Sequence, residues 1–534
     1  MFIRNIYHYL SSEPVNSRTF KTIRLFFFGV ALTLFAWFLY FSFSTIVMPY
    51  QIEYREGAAQ VMMQILLAGG NPFSMEYQPL GMNNYGIGYS LFALPFAKLF
   101  GNTLMVHRSV NFCFLFASLL IVARTIWILK QDKLFSILGS IFIAVVLAGR
   151  GGLGAFPSAM GVFLFLLAIL VPFIYSFRYP SLLASALLAI LAFYTKPYFV
   201  IGFGVVAAYT FIFISKQKGV VYSLFFLSVF VAFFAGIRHI FEFYFIDTLV
   251  SNLSNSSPVL AHLYNQLVEL NVEFFPSILL GLVLLLFNLP TSMLADLVRK
   301  GFPTRSNFLQ LDTPLLNVPL NYFAFTFIFC FLGFIFSLGL HLGNYMVYAY
   351  QIVLPPFILW LFHTLNLKTR FSIIALSLLL GNILMLENIL LQPAFLLQSD
   401  SVAWRDLYTY VRNSQRVVNS PAVVSALIDA GITPVDSGQT EYYYRIKPYP
   451  DNVLVGPGYE IIKGNGITYL DSIQNDARDH KFDRIFTTDG GVYGNLLSFD
   501  LISQSYTKID TLTIIMPQTH QIWTIGVWEP LGEE

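Results

Sequence analysis

Residues 23–47 read IRLFFFGVALTLFAWFLYFSFSTIV, and residues 52–70 read IEYREGAAQVMMQILLAGG. The first stretch has one charge, Arg24, and is otherwise apolar. It exceeds the roughly 20 apolar residues that a helix needs to cross a hydrocarbon core about 30 Å thick. The second opens on Glu53, Arg55 and Glu56, then repeats apolar residues at helical spacing until Gly69-Gly70 ends the run. A crossing helix that delivers a charged turn and an amphipathic helix to the bilayer edge is the unit from which the rest of the chain is read.

Outward from that unit the same composition persists. The chain of 534 residues is 56% hydrophobic, 17% aromatic and only 11% charged, against about 25% charged in an ordinary globular protein. This excludes a soluble enzyme over most of the length, and a disordered or fibrous chain as well. A net charge of +2 gives no basis for nucleic-acid binding, and two cysteines, Cys113 and Cys330, both in apolar runs, supply neither a disulfide scaffold nor a thiolate metal site. Apolar runs long enough to cross, or nearly so, lie near 23–47, 104–129, 134–149, 158–177, 181–195, 197–215, 220–240, 274–291, 319–340, 345–365 and 371–391. The shorter piece from Tyr85 to Phe100 contains Pro95 and Lys98 and reads as an interfacial helix.

The expected fold is therefore an α-helical polytopic membrane protein with about eleven crossings over residues 1–395, followed by a C-terminal α/β domain over 396–534. Basic residues choose the orientation. With Tyr85–Phe100 on the surface, Arg4, Arg18, Lys21 and Arg24 share one side with Arg124/Lys130/Lys133, Arg178, Lys216/Lys218, Arg299/Lys300/Arg305 and Lys368/Arg370. The positive-inside rule makes that side cytoplasmic, leaving the loop 49–103 and the C-terminal domain outside. The first apolar run is long and no small-residue cleavage site follows it, so it reads as a retained anchor. No internal repeat of the kind many transporters carry is present.

Charges at the membrane edge are costly unless paired or hydrated, which makes them functional candidates. On this topology Glu53, Arg55, Glu56, Arg108, Arg150, Lys196 and His341 gather on the outer side, suggesting a cavity that handles an anion. Each has an ordinary reading too: Lys196 snorkelling to headgroups, Arg108 with His107 anchoring phospholipid, His341 as an interfacial histidine, either glutamate as a solvated loop carboxylate. In the first turn of its helix Glu56 is favoured as the ionised carboxylate. Asn83, Asn84 and Tyr85 open the interfacial helix.

The first loop resembles that of bacterial GT-C membrane glycosyltransferases, the superfamily of protein mannosyltransferase-like and lipid A aminoarabinose transferase-like enzymes. Matching pieces are Glu56-Gly57, Gly70-Asn71-Pro72-Phe73, Asn84-Tyr85-Gly86-Ile87-Gly88-Tyr89 and Leu99-Phe100-Gly101. Arg108 at the start of the second crossing, Thr195-Lys196-Pro197 after the fifth, and Tyr345 to Pro356 fit as well. The specific likeness covers about the first 200 residues. Two departures stand out: Ser158, in Phe156-Pro157-Ser158, occupies the place of a family acid, and Gly86 and Gly88 replace the prolines of a YPPL-type segment.

The resemblance implies transfer of a sugar from a polyprenyl-phosphate carrier to a glycan, lipid or protein acceptor at the outer face of a bacterial inner membrane. It implies a carboxylate base, Glu56 with Glu53 as second choice, and an inverting displacement. Arg55, Arg108, Lys196, Arg150 and His341 would bind the departing phosphate, with Tyr345, Tyr85 and Asn84 available for sugar or phosphate contacts. The prenyl chain would lie between the first-loop helix and the Tyr85–Phe100 helix, and the polar stretch Asp247–Phe274 would be a flap. With Ser158 in place of the second acid, no metal or other cofactor is expected. The rival readings are an O-antigen ligase or polymerase type enzyme, whose chemistry would sit in a late loop, and a non-enzymatic lipid-linked-sugar flippase.

Overall fold

The computed structural model describes residues 16–250, 260–288, 311–316, 320–340, 348–366, 369–386, 401–438, 440, 457–489, 496–517 and 521–532. Among these, seven helical segments are long and apolar enough to cross a membrane: Ser17–Val47, Leu104–Lys130, Lys133–Arg150, Pro197–Ile214, Lys216–Ile240, Leu260–Leu285 and Tyr322–Gly339. Four shorter apolar helices, Ser158–Ile174, Tyr179–Phe193, Ala349–Thr364 and Arg370–Met385, pack among them. Together they occupy the eleven apolar stretches of the sequence.

Local chemistry sets the helix starts. The Asn16 side chain accepts the Arg18 N–H, and Asp132 accepts from Leu134 and Phe135, each satisfying donors that a helix start leaves open. Asp132 also pairs with Arg24 at 3.0 Å, which fastens the first crossing to the third. Lys133–Arg150 is the most enclosed of the seven. Elsewhere phenylalanine rings pack against tyrosine rings, some of whose hydroxyls reach backbone carbonyls across the bundle. Tyr322 donates to the Ile169 carbonyl at 2.7 Å, and its ring meets those of Phe173, Phe177 and Tyr209.

Two boundaries differ from the sequence expectation. The helix expected from about residue 274 begins at Leu260, so much of the stretch proposed as a flap is helical. Leu263, Leu267, Leu270 and Phe274 recur at helical spacing and turn one face inward. The interfacial helix runs from Gly88 to Phe100, with Leu91, Phe92, Phe96, Leu99 and Phe100 exposed, an apolar face suited to a bilayer edge.

The C-terminal domain is a four-stranded sheet flanked by helices. Strands β1 (Val417–Val418), β2 (Arg484–Thr488), β3 (Tyr506–Met516) and β4 (Gln521–Pro530) are ordered β1-β2-β4-β3, with β1 and β2 parallel and the other neighbours antiparallel. Successive side chains in a strand face opposite ways. Phe486 accordingly joins a core with Trp404 and Leu407 of the helix Ser401–Arg412, while Ile485 joins one with Ile473 of Pro457–Arg478 and Ile502 of Phe499–Ser505.

This domain docks directly on the first long loop. Tyr50 stacks on Trp404 at 5.1 Å, Tyr54 packs on Trp523, and Val424 meets Val61 and Ile65 of the first-loop helix Glu56–Leu67. A Cβ on Gly57 would lie 2.5 Å from that of Val424. Close docking of the domain therefore accounts for the glycine after Glu56.

Candidate active site

Only Tyr54 and Arg55 separate Glu53 from Glu56, yet the surroundings of the two acids are opposite in kind. Glu56 is fully buried and its carboxylate accepts four hydrogen bonds: Arg108 Nε at 2.9 Å and the Ala155 N–H at 2.9 Å on Oε1, the Ile52 N–H at 2.8 Å and Arg108 Nη2 at 2.7 Å on Oε2. That fills the roughly four lone-pair sites of a carboxylate. Arg108, equally buried, spends its remaining donors on the carbonyls of Thr45, Met48 and Tyr50 at 2.6–2.9 Å. All five of its N–H groups are then committed. Thr45 lies in the last turn of the first crossing, where carbonyls lack helical partners. Arg108 and Glu56 thus form a staple between the end of one crossing, the start of the next and the charged turn. Neither side chain has a free group to offer a substrate.

Glu53 is also fully buried but, among the described residues, its side chain accepts only two bonds, both from Arg55: Nε at 2.5 Å and the backbone N–H at 2.9 Å. Burial raises its carboxyl above the usual range, and the Arg55 guanidinium only partly opposes this. Arg55 is partly exposed and donates once more, from Nη1 to the Tyr85 hydroxyl at 3.1 Å. Its Nη2 has no protein acceptor among the described residues. The guanidinium stands 5.5 Å from the Phe156 ring and 5.6 Å from that of Tyr54.

Lys196 completes the cluster. Its Nζ donates to Ser158 Oγ at 2.7 Å and lies 4.5 Å over the Tyr85 ring, with the Phe156 and Tyr198 rings each at 5.8 Å. Its 4% exposure lowers the ammonium pKa to about 7; nearby Arg55 acts in the same direction and Glu53 against it. Two backbone bonds hold this segment to the first loop, Gly86 N–H to Thr195 O at 2.9 Å and Gly88 N–H to Tyr194 O at 2.8 Å. A Cβ on Gly86 would fall 1.9 Å from the Tyr194 oxygen. The glycines that stand where prolines were expected therefore let two loops touch, and the contact sets Lys196 over Tyr85.

Arg150 belongs to a neighbouring cluster. It sits in a π-helical turn, Ala148–Gly152, and pairs with Glu273 at 3.0 Å, while the Tyr350 hydroxyl donates to the other oxygen of Glu273. A narrow cleft lined by Arg150, Ser158, Tyr350 and Gln351 lies between the clusters, and Gln351 accepts the Tyr198 hydroxyl at 2.6 Å. Asn84 is half-buried in the turn before Tyr85, and His107 bonds Tyr89 and Asn102. His341 and Tyr345 lie outside the described residues. Glu273, Phe156, Tyr198 and Gln351 were not singled out from sequence. Only Glu273 carried a signal, as an acid at the edge of an apolar run. Among the described residues no group of three or more His, Cys, Asp or Glu could hold a metal ion.

No family model matches the chain, and no curated protein matches it. Among solved structures it is similar to the one titled "Crystal Structure of ArnT from Cupriavidus metallidurans bound to Undecaprenyl phosphate", at 11% identity and a TM-score of 0.48, over 94% of this chain and 97% of that one.

Proposed function

We propose that this protein is a membrane glycosyltransferase that moves a sugar from a polyprenyl-phosphate carrier to an acceptor hydroxyl on the outer face of the cytoplasmic membrane. One observation carries the reading: Glu53, Arg55, Tyr85 and Lys196 converge at one place, and both cations keep N–H groups uncommitted. A departing phosphate needs fixed positive charge, and an attacking hydroxyl needs a base. Arg55 and Lys196 supply the first and Glu53 the second. The acceptor oxygen bonds to the anomeric carbon as the bond from that carbon to the phosphate oxygen breaks. The bonding pair leaves with the phosphate, and the hydroxyl proton passes to Glu53. Attack opposite the leaving group inverts the anomeric centre.

Saturation of Glu56 and Arg108 favours Glu53 as base and Arg55 with Lys196 as the phosphate grip. Arg150 is a secondary cation, available once it leaves Glu273. The donor set does not suit a divalent ion, which takes several oxygens; here one carboxylate, already paired, stands beside two cations. For the prenyl chain an apolar groove of about 290 Å³ is available, lined by Phe274, Gly281, Phe327, Phe331, Phe334 and Phe357, with Phe274 adjacent to Glu273. The proposal is tested by incubating purified protein with a panel of polyprenyl-phosphate sugars and measuring release of free carrier phosphate. Release from at least one donor, lost in Glu53→Gln, is expected. No release from any donor by folded protein, or full release by that variant, would overturn it.

A further inference from the structure

Gln51 takes no part in the proposed chemistry, yet it is 1% exposed and densely bonded. Its Nε2 donates to the Tyr54 carbonyl at 3.2 Å and to the Pro421 carbonyl at 3.3 Å, while Oε1 accepts the Ser425 N–H at 3.0 Å. Both donors of the amide are therefore committed. Tyr54 lies between Glu53 and Arg55, whereas Pro421 and Ser425 belong to the C-terminal domain. A single side chain thus ties the backbone of the reactive turn to that domain. On either side Tyr50 stacks on Trp404 and Tyr54 packs on Trp523, so the turn is gripped from the domain at three points.

We propose that Gln51 is a positioning residue, through which the C-terminal domain holds the 52–56 turn so that Glu53 and Arg55 face Tyr85 and Lys196. The proposal rests on the transferase reading for what Glu53 and Arg55 do. The domain is then a working part of the active site even though it contributes no reacting group. A second contact supplies the control. Ser425 Oγ donates to Gln60 Oε1 at 2.5 Å, and Gln60 Nε2 donates to the Asn102 carbonyl at 3.1 Å. This junction joins the same two parts and Gln60 is fully buried, but it meets the first-loop helix beyond the reactive turn.

The experiment compares Gln51→Leu with Gln60→Leu in the full-length protein, reading sugar transfer, thermal stability and amide exchange across residues 50–66. Displacing reacting groups by about 1 Å can cost on the order of 10²-fold in rate. Gln51→Leu is therefore expected to lower kcat by about that factor, with KM for the carrier essentially unchanged and faster exchange confined to 52–56. Gln60→Leu is expected to lower stability while leaving kcat and exchange at 52–56 as in the parent. Equal kcat losses in the two variants, or parental kcat and exchange in Gln51→Leu, would overturn the proposal. If Gln51→Leu fails to fold, Gln51→Glu keeps the acceptor for Ser425 and removes both donors, and is expected to show the same split. Unfolding of both Gln51 variants beside a folded Gln60→Leu would make Gln51 a general structural contact and also overturn it. Should the parent release no carrier phosphate from any donor, the transferase reading falls, and the exchange comparison alone decides whether Gln51 holds the turn.

Discussion

Replacing Glu56 by Gln separates a structural acid from a reacting one. The substitution keeps the shape of the side chain but removes its charge and turns one acceptor oxygen into a donor. In the parent that oxygen would receive two of four N–H groups, from Arg108, Ile52 or Ala155. In the variant a donor faces donors, and the Arg108 guanidinium keeps its charge in a site with no exposure and no counter-ion. Removing one partner of a buried pair costs about 3–5 kcal/mol, against a total stability of about 5–15 kcal/mol for a typical domain. At 1.36 kcal/mol per factor of ten, the unfolded fraction rises roughly 10²- to 10⁴-fold.

Because unfolding of such proteins is commonly irreversible, the assay is the half-life of the folded species at a fixed temperature, followed by size-exclusion chromatography. Glu56→Gln is expected to shorten that half-life sharply, and Arg108→Met to do the same. The double variant removes both charges and should recover part of the loss, with a coupling of about 0.5–3 kcal/mol as contacting pairs show. Recovery stays incomplete because the carbonyls of Thr45, Met48 and Tyr50 lose their donors. A Glu56→Gln protein as long-lived as the parent but inert in transfer would refute the reasoning and make Glu56 the base.

Three further outcomes follow from the same geometry. Glu53→Gln should lose about 10²- to 10⁴-fold in transfer rate with a smaller stability loss than Glu56→Gln, since its partner Arg55 is partly exposed; steady-state kinetics beside carrier-binding measurements would check this. In the free enzyme Lys196 is charged below about pH 7 and neutral above it, while Glu53 must lose a proton from a raised pKa to act as base; kcat/KM should therefore fall on both sides of a narrow maximum, and Lys196→Arg should abolish the alkaline fall near pH 7. Gly86→Ala, whose Cβ has no room beside the Tyr194 oxygen, should part the two loops and raise KM for the carrier, read from initial rates at varied donor.

Much of the fold was legible because both of its signals are periodic. Apolar runs of crossing length became helices, and the C-terminal region expected to be α/β became a four-stranded sheet flanked by helices. Boundaries failed where amphipathic text joined apolar text. Leu260–Phe274 has enough polar residues to read as a loop, but its apolar positions share one face, and packing of that face extends the helix. The docking of the C-terminal domain on the first loop was illegible, since contacts such as Gln51 with Ser425 or Tyr50 with Trp404 join residues far apart in the chain by shape rather than by spacing.

The site itself shows how far spacing reaches. Sequence pointed to the first loop, and it ranked Glu56 above Glu53 because Glu56 opens a helix and has a glycine beside it. Both features have structural causes: the glycine makes room for Val424, and the carboxylate is consumed by Arg108 and two backbone amides. Arg55 and Arg108 invert in the same way, one with donors to spare and the other with none. Ser158 is the counterpart on the opposite wall. An acid there would have neutralised Lys196 permanently, whereas a hydroxyl accepts one hydrogen bond and leaves the ammonium without a full counter-charge in a site already short of water. Such a lysine gains most from an arriving anion, because that anion restores the charge that burial disfavours. On the proposed reading, a hydroxyl rather than a carboxylate at Ser158 leaves Lys196 able to pair with an arriving anion.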